Sequence, residues 1–188
     1  AAVRALDEPR VSLALPVPGD PLGLAGPAAL NAEAAEAGEA VLVTGRSGSH
    51  GLVPVLDART VLWTVQDAAA PPVLDPGEEG RTLRQVLLAT TAELVRLDVA
   101  SWNPEIPDLL LNLHRRPGLP LPPGTPPAEV ETLERAALCL EIVDLARADD
   151  GGSVSAHEVA ARARCLTDLD RAARRAVVAV CSASLLPS

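Results

Sequence analysis

The sequence lacks several residue types on which binding sites often depend. It contains no phenylalanine, tyrosine or methionine, and all 16 basic residues are arginine, so lysine is absent too. Tryptophan occurs only at Trp63 and Trp102. Two aromatic side chains argue against a stacking platform for single-stranded nucleic acid, and the absence of lysine excludes a P-loop. The hydrophobic core must therefore be built mainly from leucine, valine and alanine.

Cysteine and histidine are scarce as well, with three residues of each type. Cys139, Cys165 and Cys181 are far apart in the sequence and lie in helical patterns. Their odd number and wide spacing indicate neither a disulfide framework nor a zinc site. We therefore expect reduced core thiols in a cytoplasmic protein, and neither a metal nor a cofactor.

Long hydrophobic runs are missing too. No apolar stretch approaches the ~18 residues that a membrane span needs, and residues 1–10 lack the apolar region of a signal peptide. The net charge is −9, which repels anionic lipid and phosphate and so disfavours a membrane or nucleic-acid partner. Because hydrophobic residues make up 48% of the chain, we expect a folded protein rather than a disordered one.

The N-terminal part of the sequence predicts a small antiparallel sheet with one helix. Four apolar, partly alternating runs predict strands at residues 10–17, 39–44, 52–56 and 60–66. A helix is predicted at 27–38, which Gly38 would end. Val61, Trp63 and Val65 alternate along the fourth strand, and we expect that row to point into the core. Pro54 predicts that the third strand is an edge or begins at Val55.

The C-terminal part predicts five helices, and the whole chain is therefore of the α+β class. The predicted helices cover residues 81–99, 105–114, 128–148, 156–165 and 168–184. The segment 126–152 is apolar on nearly every helical face, so the other helices are expected to pack around the helix at 128–148. Capping patterns at Ser155–Glu158 and Thr167–Asp170 separate the last two helices.

We expect these parts to form two subdomains in one compact unit. Residues 1–68 would be the sheet subdomain and residues 81–188 the helical subdomain. The acidic, proline-rich segment 69–80 would connect them.

Three segments are distinctive in their mixture of leucine, proline and small residues. They are LALPVPGDPLGL at 13–24, LDVASWNPEIPD at 97–108 and LPPGTPP at 121–127. In these segments the chain resembles uncharacterised proteins of high-GC actinobacteria. The absence of residue types with A/T-rich codons fits a GC-rich genome. This resemblance implies no activity and carries over no functional residue.

The best candidate for a ligand site is the glycine-rich loop 18–27, because backbone N–H groups at a helix start can bind an anion. The polar turn predicted at 45–51 could lie near this loop if the first two strands are neighbours. The predicted ligand-binding residues are Asp20, Gly23, Gly26, Arg46 and His50. The simpler interpretation is a tight turn and a polar hairpin tip.

The last two predicted helices could instead form a helix-turn-helix element, with Arg171, Arg174 and Arg175 facing DNA. The turn lacks a glycine, and Ala176–Val180 is too apolar to face water, so a core-packing hairpin is the simpler interpretation. His157 and Glu158 begin like a zinc-protease helix, but Ala161 stands where the second histidine would be.

No catalytic residue set is recognisable, so our leading hypothesis is a non-enzymatic interaction or structural protein with a protein partner or self-association. Exposed apolar patches would mark its contact surface. The alternatives are a protein or enzyme that binds a small molecule or anion at the loop 18–27 and the turn 45–51, and a DNA-binding regulator that uses helices 156–165 and 168–184.

Overall fold

The computed structural model describes residues 9–96, 121–148 and 155–184. Within these ranges the chain forms four strands and four helices, so the α+β prediction is confirmed. The strands are β1 (Arg10–Ala14), β2 (Ala40–Gly45), β3 (Gly48–Asp57) and β4 (Thr60–Ala68). The helices are α1 (Ala28–Ala37), α2 (Pro76–Arg96), α3 (Pro127–Ala148) and α4 (Ala156–Ser184). The helix predicted at 105–114 lies outside the described residues.

The chain divides into two compact units. Unit 1 contains residues 1–75 and 178–188, and unit 2 contains residues 76–177. Unit 1 holds the four-stranded sheet, whose strands follow one another in sequence order and are all antiparallel. Helix α1 ends as predicted, because Gly38 adopts a left-handed conformation (φ 77°) and donates its N–H to the Ala34 carbonyl.

The third strand is longer than predicted, and the polar turn at 45–51 is wrong in its extent. The turn itself is Arg46–Ser47, because Gly45 already pairs with Gly48. His50 lies within β3, opposite Val43 of β2. Strand β3 is an inner strand that begins at Gly48, so the prediction that Pro54 marks an edge or a start at Val55 is wrong. The sheet tolerates Pro54 because its nitrogen points to the β2 side at a level that β2, whose first residue is Ala40, does not reach.

The apolar row of β4 does not point into the core, contrary to prediction. The side chains of Val61, Trp63 and Val65 remain 48–50% exposed. Helix α1 packs on the opposite face, where Leu30 and Ala34 contact Leu42 and Val53 in the core of unit 1. Alternation identifies two faces of a strand, but the position of α1 determines which face of β4 is covered.

Unit 2 is built from α2, α3 and most of α4. Helix α2 begins at Pro76, before the predicted start, because proline suits a first turn and Glu78 and Glu79 favour the positive end of the helix dipole. Helix α3 is buried along one stripe rather than on nearly every face. The residues of that stripe are Thr132, Leu133, Ala136, Cys139 and Val143, and the remaining apolar residues of α3 are partly exposed.

Helix α4 is one continuous helix, so the prediction of two helices at 156–165 and 168–184 is wrong. The capping box at its start is confirmed: Glu158 N–H donates to Ser155 Oγ at 3.2 Å, and Ser155 N–H donates to the Glu158 carboxylate at 3.1 Å. The second capping pattern does not form. Thr167 Oγ1 instead donates to the Ala163 carbonyl at 2.8 Å, which keeps this threonine inside the helix.

Candidate functional site

The two faces of the sheet in unit 1 differ in how they are covered. On one face, Leu30 of α1 sits directly over Gly51, where any β-carbon would lie within 2.7 Å of the leucine side chain. At the same face, Gln66 Nε2 donates to the Glu33 carboxylate at 2.7 Å. Helix α1 is therefore fixed to β3 and β4 both by apolar packing and by a polar contact.

The other face carries a group of exposed apolar side chains, which we call the β4 patch: Leu56, Val61, Trp63 and Val65. Leu56 is 85% exposed, Trp63 is 50% exposed, and Val61 and Val65 are 48% exposed. Leu56 pairs directly with Val61 across the hairpin, so the four side chains are neighbours on one surface. Contiguous exposed apolar side chains of this kind are typical of contact sites.

The patch has a polar end. His50 and Asp67 are opposite each other in β3 and β4, and His50 Nδ1 lies 3.4 Å from Asp67 Oδ1. Most of the Asp67 side chain remains in solvent. The row of β4 thus ends in an exposed carboxylate, while the turn at its other end carries the exposed cation Arg59.

The two edges of the sheet differ in the contacts that they receive. At the β1 edge, Leu13 N–H donates to Ser182 Oγ of α4 at 3.1 Å. At the β4 edge, the described residues provide a backbone contact only beyond the strand, where Ala69 N–H donates to the Ala25 carbonyl at 2.7 Å. Strand β4 is consequently an edge strand that exposes both backbone groups and apolar side chains.

Most of β4 lacks the features that usually protect an edge strand, and its one charged residue, Asp67, is next to its last residue. From Thr60 to Gln66 there is no charged residue, proline or glycine. Its nine residues pair one-to-one with β3, so the ladder contains no bulge. Edge strands that lack charge, proline and bulges are prone to pair with another chain.

The five predicted ligand residues lie in three segments of unit 1: Asp20, Gly23 and Gly26 in the loop before α1, Arg46 in the β2–β3 turn and His50 in β3. Asp20 closes a small turn with Val17, and a β-carbon on Gly23 would lie 3.1 Å from the Leu13 carbonyl. The Gly26 carbonyl accepts a hydrogen bond from Asn31 Nδ2 at 3.2 Å. Gly23 and Gly26 therefore have packing and capping roles in the loop.

Arg46 is exposed at the tip of the β2–β3 hairpin, and His50 lies on the face with the β4 patch, opposite α1. The structure pairs His50 with Asp67. The end of the glycine-rich loop lies beside the same end of β4, where the Ala25 carbonyl accepts a hydrogen bond from Ala69 N–H. A ligand at loop 18–27 and turn 45–51 stays a prediction.

The three arginines of the DNA-binding alternative lie along α4 beside carboxylates of unit 2. Arg174 is buried and donates from Nε to Asp170 at 2.9 Å. Arg175 donates through two nitrogens to the buried Glu79, at 2.9 and 2.5 Å. Arg171 Nη1 lies 3.9 Å from Asp168. The two-helix element on which that alternative depends is one helix, and DNA binding itself stays a prediction.

Unit 2 also contains an open groove of about 510 Å³ between α2 and α4. Val86, Ala89 and Ala172 contribute apolar surface to it, and Glu93 and Cys165 lie in its wall. Burial, together with the negative charge of Glu93, raises the pKa of the Cys165 thiol above its usual value.

The residues that the structure describes hold neither a cluster of metal-binding side chains nor a helix that could span a membrane. Residues 9–96, 121–148 and 155–184 contain no group of three or more metal-binding side chains. Among the helices in those ranges, none combines the length and the hydropathy of a membrane span.

Sequence reasoning identified the β4 row but assigned it to the core. A sequence signal against this placement is that residues 1–68 carry one predicted helix, which can cover only one face of β4. The uncharged run Thr60–Gln66 was a second signal for an association edge.

Comparison with known proteins links residues 1–178 of the chain to one family. Residues 1–77 match the model of the Rv1486c-like protein, N-terminal domain, and residues 77–178 match the model of the Rv1486c-like protein, C-terminal domain. Comparison with curated proteins and with solved structures found no similar protein. Rv1486c is a mycobacterial gene name, which agrees with the resemblance to actinobacterial proteins. The chain therefore belongs to the Rv1486c-like protein family.

Proposed function

We propose that this chain is a non-enzymatic interaction protein that binds a protein partner through the β4 patch and the adjoining β4 edge. The observation that carries the proposal is the row Val61, Trp63 and Val65, half-exposed on an edge strand without charge from Thr60 to Gln66. A partner strand would gain backbone hydrogen bonds from the edge and apolar contacts from the patch.

The composition of the patch supports a protein partner. Tryptophan is enriched at protein interfaces, because it buries a large apolar area while its indole N–H can still find a hydrogen-bond acceptor. The patch combines Trp63 with aliphatic side chains, and Asp67 and Arg59 are polar groups at its border. An apolar centre with a polar rim is the usual arrangement of a specific interface.

The proposal places this interaction in the cytoplasm. Its support is the state of the cysteines, since Cys139, Cys165 and Cys181 are all free thiols. Free thiols are usual where glutathione and thioredoxin keep proteins reduced.

Photo-crosslinking of the full-length chain in cells tests the proposal. A photoreactive phenylalanine derivative replaces Trp63 in one variant and Leu56 in a second, and the matched control carries it at Glu36, an exposed residue of α1. We expect protein adducts from positions 63 and 56 but not from position 36. If neither patch position gives adducts above the control, the proposed function is wrong.

A substitution in the β4 patch tests whether the patch itself binds the partner or only lies close to it. With the photoreactive residue at position 56, the change Trp63→Asp should reduce adduct yield by about tenfold or more, because truncation of a central interface tryptophan costs about 2 kcal/mol or more. Urea denaturation of the same variant checks that the fold is intact. Unchanged adduct yield in a folded Trp63→Asp variant would contradict a role for the patch.

A further inference from the structure

The free backbone groups of the β4 edge follow from the hairpin geometry. Pro54 is opposite Trp63 and has no N–H to donate, so these two residues form a non-hydrogen-bonded pair of the antiparallel ladder. In such a pair the backbone N–H and C=O groups of each residue point away from the other strand. Backbone direction alternates along a strand. The N–H and C=O groups of Val61, Trp63, Val65 and Asp67 therefore point outward, away from β3.

We propose that the partner of this edge is a second copy of the same chain, with the two β4 strands antiparallel about a twofold axis at Trp63. This inference rests on the proposed function and specifies its partner. The axis places Trp63 opposite Trp63 of the second copy and Val61 opposite Val65. The outward-pointing backbone groups of each residue then lie opposite outward-pointing backbone groups of the second copy, so that both can form hydrogen bonds.

Charge complementarity supports this register. An axis at Trp63 brings Arg59 of each chain opposite Asp67 of the other, so two symmetry-related ion pairs flank the apolar row. Both side chains are exposed and accessible for pairing. Opposite charges directly across an antiparallel pair are stabilising.

The two neighbouring twofold registers are less favourable. An axis at Leu62 would put Arg59 opposite Val65, so that the pairing of Arg59 with Asp67 is lost. An axis at Thr64 would also match outward-pointing residues, but it would put Val61 opposite the Asp67 carboxylate. It would also extend the ladder to Ala69, whose N–H already donates to the Ala25 carbonyl. The register at Trp63 uses only residues 59–67 and stops before that contact.

The association closes at two chains. At the other sheet edge, β1, the outward N–H of Leu13 already donates to Ser182 Oγ. An interface made of the same β4 edge on both chains leaves no part of that edge for a third chain. The dimer would contain one continuous eight-stranded sheet.

Charge reversal with rescue tests the register. Wild-type protein, Arg59→Asp, Asp67→Arg and the double variant are compared by sedimentation equilibrium, with Glu36→Arg on α1 as the control for a general charge effect. Each single reversal makes two symmetry-related pairs repulsive, so we expect the dimer Kd to rise by about tenfold. The double variant should return to within about threefold of wild type, and Glu36→Arg should change little.

The rescue is specific to pairing between chains. Arg59 lies in the turn before Thr60, and Asp67 lies seven residues along β4 from Thr60, roughly 24 Å away at about 3.4 Å per residue, so the double variant cannot restore a pair within one chain. Urea denaturation confirms that each variant is folded. Failure of the double variant to recover would overturn the proposed register.

The second-copy proposal and the proposed function fail differently. A wild-type protein that stays monomeric at about 100 μM overturns the second-copy proposal. If position 63 still crosslinks to a different protein in cells, the proposed function stands. If the protein is monomeric and positions 63 and 56 form no adducts, both proposals fail.

Discussion

Substitution of Gly80 by alanine gives a quantitative test of how α2 and α3 pack in unit 2. An alanine β-carbon at position 80 would lie 2.9 Å from Thr132 Oγ1 and 3.2 Å from Thr132 Cγ2. Real β-carbons essentially never show contacts below 3.0 Å. Thr132 cannot easily turn away, because its Oγ1 donates to the Ala128 carbonyl at 2.8 Å and its β-branched side chain is restricted within a helix.

The expected effect is the difference between two opposing contributions. Replacing glycine by alanine inside a helix stabilises it by about 1 kcal/mol. Overpacking a buried contact destabilises a protein by about 1–3 kcal/mol. We therefore expect Gly80→Ala to lower the free energy of unfolding by about 1 kcal/mol.

The change Thr132→Ala removes both atoms that the new β-carbon would meet. The next nearest atom is the Thr132 β-carbon at 3.7 Å, an ordinary van der Waals distance. In the Thr132→Ala background, Gly80→Ala should consequently raise the free energy of unfolding by about 0.5–1 kcal/mol, as helix propensity alone predicts.

Urea denaturation of the wild type, both single variants and the double variant measures this coupling as a double-mutant cycle. We expect a coupling free energy of about 2 kcal/mol between positions 80 and 132. A coupling below about 0.5 kcal/mol would show that the two helices do not approach closely at this point, and would refute the reasoning.

Three further predictions address other parts of the chain. Ala58 adopts a left-handed conformation (φ 47°) in the β3–β4 turn, so Ala58→Gly should raise the free energy of unfolding by up to about 1 kcal/mol. The control Ala32→Gly, inside α1, should lower the free energy of unfolding by about 1 kcal/mol. Equal effects of the two changes in urea denaturation would contradict the prediction. Glu79→Gln removes the charge that binds Arg175 and should lower the free energy of unfolding by about 1–2 kcal/mol. Breaking a fully buried ion pair would lower it more, but the Arg175 side chain is 39% exposed. A free energy of unfolding within about 0.3 kcal/mol of the wild-type value would count against a role for the pair. Burial raises the pKa of the Cys139 thiol, so iodoacetamide should modify Cys139 at least about tenfold more slowly in native protein than in urea at pH 8, measured by peptide mass spectrometry. Because the folded thiol keeps its proton to higher pH than the unfolded thiol, its contribution to stability should be complete below about pH 8.5 and be lost as the pH rises further. Equal modification rates would contradict the buried position.

Local sequence signals predicted most elements whose cause is local. Alternating apolar residues located the four strands, the left-handed glycine at position 38 ended α1, and the Ser155–Glu158 capping box began α4. Each of these depends on interactions between residues close in sequence. Where the cause is tertiary, the sequence was ambiguous. Thr167 has the same local pattern as a helix cap, but it lies inside α4, where Leu166 and Leu169 on either side of it are buried in the core of unit 2.

The candidate site shows the same division between local and tertiary causes. The row Val61, Trp63 and Val65 was visible from its alternation, but its burial depended on which face α1 covers. That choice is made by the fit of Leu30 over Gly51, a contact between residues distant in sequence. No periodicity in β4 alone encodes it.

The contact between Leu13 and Ser182 has a consequence for biosynthesis. The two residues are 169 positions apart, and Ser182 follows the last residue matched by the family models. During translation, β1 leaves the ribosome long before Ser182, whose hydroxyl accepts the hydrogen bond from Leu13 N–H, has been synthesised. A nascent chain therefore carries an open strand on both sides of its sheet, and chaperone occupancy should fall only once the final turn of the C-terminal helix has emerged.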